Sequence, residues 1–450
     1  MSKRTVSRKK PGVRRLGGRE FSFSEQDVQA ISQQLGEPAW LTERRLQAWK
    51  TYQSLPMPSM SDEAWRRTDI RSLPADQVRL WVASEIPVDS EIMEPLLNEE
   101  HGALIIQQPG KAPFMQIPPA LEQQGVIFTD WSTAARKHAG LLKQYLGSVI
   151  EDGEGKFSAL AASLAELGIF LYIPAGLALE LPLHSILWAP GRKMATFSRL
   201  LIVVEDGASA TFVHESASKG RDHGHAVHAG IVELWVGKGA SLQFVELQNW
   251  DDGVWNFTHE RALTQQDGSI DWVFGAVGSR LTKNFTEITL AGRGAEGRMS
   301  GFYFADGKQH LDHDTQQNHM AENTSSDLLF KGALLGNSRS VWRGMIHVAP
   351  GALGADGYQA NRNLILDRNA RADSIPGLEI LADDVRCTHG ATVGQLEDEP
   401  VYYLMSRGLP RKEAERLVVN GFFAPIMDRI PLDKVRERFQ HMIDQKMRQI

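Results

Sequence analysis

One cysteine occurs in the 450 residues, and a histidine follows it two positions later. The stretch reads Asp383-Asp384-Val385-Arg386-Cys387-Thr388-His389-Gly390-Ala391-Thr392-Val393-Gly394. On an extended strand, side chains at i and i+2 project from one face, so Cys387 and His389 would be neighbours. A soft thiolate beside a borderline imidazole nitrogen is a ligand pair for iron, an iron–sulfur cluster, zinc or copper. The plainer alternative is a small buried hydrophobe next to a surface histidine. A second candidate is His310-Leu311-Asp312-His313-Asp314-Thr315-Gln316-Gln317-Asn318-His319. Its three imidazoles, His310, His313 and His319, could take a catalytic metal with carboxylate help. Its Asn, Gln and Thr content equally suits polar turns and side-chain ladders. His223, His225 and His228 form a third group, read as an exposed loop between Gly220 and Gly230.

Other chemistries find no support. Gly292-Arg293-Gly294-Ala295-Glu296-Gly297 matches G-x-G-x-x-G, but Ser300-Gly301-Phe302-Tyr303-Phe304 after it reads as strand. A dinucleotide site needs a helix N-terminus there. The same stretch lacks the Lys and Ser/Thr of a phosphate loop, and no G-x-S-x-G elbow occurs. Adjacent Asp383 and Asp384 would face opposite sides of a strand, which weakens a paired-carboxylate glycosidase. No nucleotide site of its own is expected.

The elements that would position these residues fall into four stretches. Residues 1–22 carry Lys3, Arg4, Arg8, Lys9, Lys10, Arg14, Arg15 and Arg19 before the first acid, Glu20, and read as a disordered basic tail. Residues 23–167 form a helical and mixed region. Ser24 is a candidate helix cap, and Leu41, Arg45, Leu46, Trp49 and Tyr52 make an apolar stripe at helical spacing. Short strands are expected at Ala103–Ile106 and Val126–Phe128, then helices over Ser132–Leu146 and Phe157–Leu167. From Gly168 to Gly394 short β segments alternate with turns. Turn-plus-strand units begin at Gly207, Gly239, Gly268, Gly294, Gly336 and Asn369, so starts lie 32, 29, 26, 42 and 33 residues apart. That period without helical pattern predicts a mainly β fold, a β-solenoid whose coils bury their faces on each other. Helical flanks supply candidate caps, and a β-sandwich or jelly roll is the runner-up. Residues 395–450 are helical, broken at Gly408, Pro425 and Pro431. The last helix carries the stripe Leu432, Val435, Phe439, Met442, Ile443 and Met447.

Composition bounds the setting. Forty-nine basic and 55 acidic residues leave a net −6, with no overall nucleic-acid signature. No apolar run approaches a bilayer span, and the N-terminus lacks a hydrophobic signal core. One cysteine excludes an internal disulfide framework, so a reducing, cytoplasmic compartment is expected.

The residues also carry a family resemblance. Ser374-Ile375-Pro376-Gly377-Leu378-Glu379-Ile380, followed by the run from Asp383 to Gly394, resembles the SufD family of the SUF iron–sulfur cluster assembly machinery. Tyr402-Tyr403-Leu404-Met405-Ser406-Arg407-Gly408, Glu413-Ala414, Asn420-Gly421-Phe422, Gln309–His313, Thr324–Gly332 and, more weakly, Trp65 with Thr68-Asp69 extend it. The resemblance is concentrated between Gly301 and Ile430. It implies a right-handed parallel β-helix between helical regions and a non-enzymatic scaffold. It further implies pairing with the paralogue SufB through the β-helices, with homodimers possible, and a SufC ATPase bound by the C-terminal helices. Carried over, His389 and Cys387 would hold a transient iron–sulfur cluster shared with SufB. The SufB pattern at this segment is similar to Glu-His-Glu-Ala and comes with additional cysteines. Here Cys387-Thr388-His389-Gly390 stands in that place.

Overall fold

A computed structural model of the chain describes residues 19–80, 102–189, 191–218 and 224–448. From Leu167 onward, strands rich in Val, Ile, Phe and Thr alternate between two ten-stranded sheets. Sheet A ends on Arg371–Ile380 and sheet B on Arg386–Gln395. Within each sheet every strand from Leu167 on pairs in parallel with the strand two places later in the chain. The result is a β-solenoid of about eight turns. Parallel, in-register pairing excludes the sandwich and jelly roll, whose sheets are antiparallel.

One turn sets the register of sheet B. Gly207, Gly239, Asp267, Gly294, Asn323, Gly354 and Asp384 all have positive φ, from 53° to 72°. Each stands two residues before its strand, at Ser209, Ser241, Ser269, Glu296, Ser325, Asp356 and Arg386. Only Gly, Asn and Asp tolerate this left-handed conformation readily. The amide of each turn residue before Asp384 donates to the next coil, as Gly239 to Gln266 O (2.9 Å), Asn323 to Leu353 O (2.8 Å) and Gly354 to Asp384 O (2.9 Å). The irregular 42-residue interval now has its reason. Gly336 and Asn369 precede strands of sheet A, and Asn323, Gly354 and Asp384 were the sheet B turns that a repeat anchored on the former pair skips.

Identical positions stack from coil to coil. Phe212, Phe244 and Trp272 lie in register inside the bore, with ring centroids 5.9 and 5.1 Å apart, and Met299 and Leu328 continue the column. The sheets begin before Gly168. Ala103–Gln107 joins sheet B in parallel with Leu183–Trp188, and Ile127–Asp130 joins sheet A antiparallel to Leu167–Ile173. Gly168 marks a close approach, because a Cβ there would meet the Arg199 carbonyl oxygen at 2.2 Å.

The flanking helices cover the faces of the solenoid rather than its far end. On the N-terminal side are α1 (Glu25–Leu35), α2 (Ala39–Ser54), α3 (Pro119–Gln123), α4 (Trp131–Lys137), α5 (Ala139–Tyr145) and α6 (Lys156–Leu164). Ser24 caps α1 in a reciprocal box with Asp27. The helix expected over Ser132–Leu146 divides at His138, whose backbone leaves the helical region (ψ 29°). Helices α2 and α6 lie on sheet A, where Phe157 stacks on Phe257 at 3.8 Å between centroids. The segment Glu63–Asp69 straps the same face. Trp65 packs on Phe157, Phe257 and Phe285, and Thr68 hydrogen-bonds His310 Nε2 (2.9 Å) and the Asp312 carboxylate. Packing begins before residue 23: Phe21 is buried and Arg19 pairs with Asp76 at 3.0 Å. The rest of the expected basic tail, residues 1–18, lies outside the described residues.

Sheet B is covered from the other end of the chain by α8 (Arg411–Met427) and α9 (Asp433–Met447), which follow α7 (Asp398–Ser406). Helix α8 runs through Pro425 as far as Met427 instead of breaking there. Arg438 pairs with Glu215, Arg429 with Asp271, and Lys446 with Asp306. Lys331 Nζ donates to Phe422 O (2.7 Å). The stripe Leu432, Val435, Phe439, Ile443 and Met447 is therefore buried against its own solenoid. It is no docking face.

Among the described residues no helix is long and apolar enough to cross a membrane. Because Phe157 is 1% exposed and stacked between helix and sheet, Phe157→Ala should cost about 3–5 kcal/mol of unfolding free energy. The check is the denaturant midpoint; a shift worth under about 1 kcal/mol would contradict this packing.

Candidate functional site

The last coil differs from all those beneath it. No residue of Arg371–Ile380 or Arg386–Gln395 is fully buried, whereas the middle strands are buried almost throughout. Each parallel strand satisfies half its backbone groups on either neighbour. The outer edges of these two have no further coil to bond. Apolar side chains are exposed there as well, Leu381 at 52% and Val393 at 48%. A strand edge of this length is a template for another chain.

Cys387 and His389 both stand on this terminal strand. Register places Cys387 opposite Gly357 and His389 opposite Gln359. Gln359 points into the bore: it is fully buried and donates to Gly344 O (3.3 Å) and Gly377 O (2.8 Å) across in sheet A. Parallel partners share a face, so Cys387 and His389 point inward at the open mouth of the solenoid. The expected shared face is present. Cys387 is half-buried against Ile346, Val348 and Ala355, while His389 is exposed. Gly357 leaves the room for the sulfur, since a Cβ there would meet Cys387 Sγ and His319 Nε2 at 3.3 Å each. Asp384 sits in the left-handed turn before the strand (φ 53°), so the adjacent aspartates belong to a turn and not to a strand.

The layer below is polar and rigid. Tyr303 Oη donates to Asn363 Oδ1 (2.6 Å), Asn363 Nδ2 to Asn361 Oδ1 (2.6 Å), and Ser374 Oγ bonds the same Asn361 oxygen. Sequence reasoning missed this shelf. In Gln359-Ala360-Asn361-Arg362-Asn363 the polar alternation reads as the solvent face, yet all three amides are buried. The available signal was their alignment, two residues apart, with Cys387 and His389 one coil later.

The histidine cluster does not assemble. His310, Asp312 and Asp314 face outward beneath the strap, whereas His313 and His319 face the bore. His313 and His319 are six strand residues apart, about 20 Å at ~3.3 Å per residue. His313 is packed among Phe274, Tyr303 and Phe330, and His319 bonds Thr324 and Ser326 at 2.8 Å each. Among the described residues, no group of three or more His, Cys, Asp or Glu is placed to hold a metal ion. His310, His313 and His319 are structural. Of the third group, His223 lies outside the described residues, and His228 is no loop residue but is buried between Ser198 and Asn256.

A site formed by Cys387 and His389 alone is incomplete. One thiol and one imidazole are fewer than the four ligands that an iron–sulfur cluster commonly takes. The thiol itself is held in its neutral form. Burial pushes it above the usual range, opposed by a hydrogen bond from the Gly357 amide and reinforced by the Asp356 charge. Cys387 is the sole thiol, so intact-mass alkylation reads it alone. In the isolated chain at pH 7.5, iodoacetamide should modify it several-fold more slowly than a free cysteine, the rate rising as pH passes above the ordinary thiol range. Modification as fast as the free amino acid would contradict this environment.

Comparison with known proteins identifies the family. Residues 187–422 match the SUF system FeS cluster assembly SufBD core domain, and residues 23–184 match the SufBD protein N-terminal region. A SufBD family iron–sulfur cluster assembly protein of Staphylococcus saprophyticus is 30% identical over 429 residues, covering 92% of this chain and 91% of that protein. Relatives of the same description in Staphylococcus haemolyticus and Staphylococcus epidermidis are 29% identical over the same coverage. The two family matches, which together span residues 23–422, and the 30% identical relative lead to one conclusion: the chain belongs to the SufBD family of iron–sulfur cluster assembly proteins.

Proposed function

We propose that this chain is a SufD-type scaffold subunit, without an enzymatic activity of its own, on which an iron–sulfur cluster is assembled transiently. The observation that carries the reading is the position of the only thiol and an exposed histidine on the last, uncovered coil. The cluster is cargo rather than a resident cofactor. Cys387 and His389 supply part of its ligands, and a SufB-type partner docked on Arg371–Ile380 and Arg386–Gln395 supplies the remainder. Such docking would satisfy the free edges and cover Val393 and Leu381. A second copy of the chain is the alternative occupant. A SufB-type identity is the alternative within the family; the single cysteine and Cys387-Thr388-His389-Gly390 favour the SufD type. The reducing cytoplasm is the compartment that suits this chemistry.

Energy input is assigned to a SufC-type ATPase bound by the C-terminal helices. The surface that supports this is α7, where Tyr402 and Tyr403 are 72% and 56% exposed beside Met405. Leu417 on α8 extends it. Exposed aromatic anchors of this kind dominate protein interfaces.

Two outcomes test the reading. In the chain co-expressed with SufB-type and SufC-type partners, Cys387→Ala with His389→Ala should lower the cluster yield of anaerobic reconstitution several-fold while the complex still forms. An unchanged yield would refute the shared site. Tyr402→Ala with Tyr403→Ala should weaken ATPase capture by about 2 kcal/mol or more, roughly 30-fold in Kd, with the Tm unchanged. Capture at full affinity would place the docking surface elsewhere.

A further inference from the structure

The bore of the solenoid is apolar along the Phe212 column but carries two acids in its middle coils, Glu246 from sheet B and Glu260 from sheet A. Their carboxyl groups are buried and hydrogen-bond each other, which without a cation needs a proton on Glu246, and burial pushes both above the usual carboxylate range. Glu260 accepts from Thr258 Oγ1 on one oxygen and from Thr286 Oγ1 (2.7 Å) on the other, the bonding of an ionised carboxylate. Trp272 Nε1 donates to Glu246 at 3.3 Å. Both acids line a cavity of about 20 Å³, room for one water-sized body. Asn284 borders the same cavity, and its buried Oδ1 has no hydrogen-bond partner.

No lysine or arginine borders this space. Arg261, next in sequence to Glu260, turns outward to Glu154. The two histidines at the cavity are committed to other partners, His214 to Ser185 (2.8 Å) and His228 to Ser198 (2.8 Å) and Asn256 (2.6 Å). Burial holds both neutral, down to about 3 and about 4. A buried carboxylate without a counter-charge is costly, by several kcal/mol on the order of a desolvated ion. The surroundings offer oxygens and no cation.

We propose that this cavity binds one hard divalent cation through Glu246 and Glu260, with Asn284 Oδ1 and the Thr258 hydroxyl as neutral oxygen ligands. An all-oxygen set selects Mg²⁺, Ca²⁺ or Mn²⁺ over softer metals, and a double charge balances two carboxylates. The cavity lies within the stacked coils, so the ion is loaded most readily as the chain folds. This site is separate from Cys387 and His389, several coils away, and does not depend on the scaffold reading.

The test unfolds the full chain in denaturant with EDTA and refolds it with Mg²⁺, Ca²⁺ or Mn²⁺ separately. Elemental analysis after gel filtration should find about one ion per chain for at least one metal, with Tm raised by several degrees over the EDTA control. Glu246→Gln with Glu260→Gln should abolish retention. Wild-type protein that retains no ion and shows the same Tm under every condition would overturn the proposal, leaving a proton shared between the acids and one water. That outcome is read on the wild type alone, whether or not the variant folds.

Discussion

A parallel β ladder satisfies its backbone only when a further coil lies on each side. The rest of this structure follows from that requirement. Each coil returns to the same register through a left-handed turn at Gly207, Gly239, Asp267, Gly294, Asn323, Gly354 and Asp384. Register then stacks like on like, so Phe212, Phe244 and Trp272 form one column and the turn amides bond from coil to coil. At Asp384 the series stops. Register turns Cys387 and His389 inward, and because no further coil follows among the described residues they lie at an open, unsatisfied edge.

The two helical regions solve a different problem. A two-sheet solenoid has outward apolar faces as well as a bore, and here each face receives its own cover. The Trp65 strap with α2 and α6 closes sheet A, and α8 with α9 closes sheet B. The buried Lys283–Asp312 pair under Thr68 and the Arg438–Glu215 pair under α9 pin these covers in place. Removing one partner of such a pair strands a buried charge, which costs on the order of 3–5 kcal/mol. With both faces closed, the open mouth of the solenoid and the outer side of α7 are the surfaces left for partners in the proposed complex.

Much of this was legible in the sequence, and the failures have physical reasons. The solenoid, the i, i+2 relation of Cys387 and His389, and the Ser24 cap follow from periodicity and turn chemistry. The repeat was miscounted because Asn323 and Asp384 adopt a conformation that a glycine-led reading does not seek. The histidine cluster looked like a metal centre because spacing along a strand does not reveal which of its faces is inside. His310 and His313 sit on opposite faces of one sheet. The α9 stripe is apolar at helical spacing, but such a pattern cannot say which surface buries it; here the solenoid does. The shelf of Gln359, Asn361 and Asn363 reversed the usual rule, with polar residues turned inward.

The central claim is that the last coil is completed by another chain. Amide hydrogen exchange of residues 386–395, compared between the isolated chain and its complex with a SufB-type subunit, tests it most directly. Completion predicts that the outward half of these amides, those not bonded to the inner strand Asp356–Ile365, exchange readily in the isolated chain and become protected in the complex to the level of that strand. If a stable complex forms and residues 386–395 exchange as fast as before, the partner docks elsewhere and the shared site does not exist.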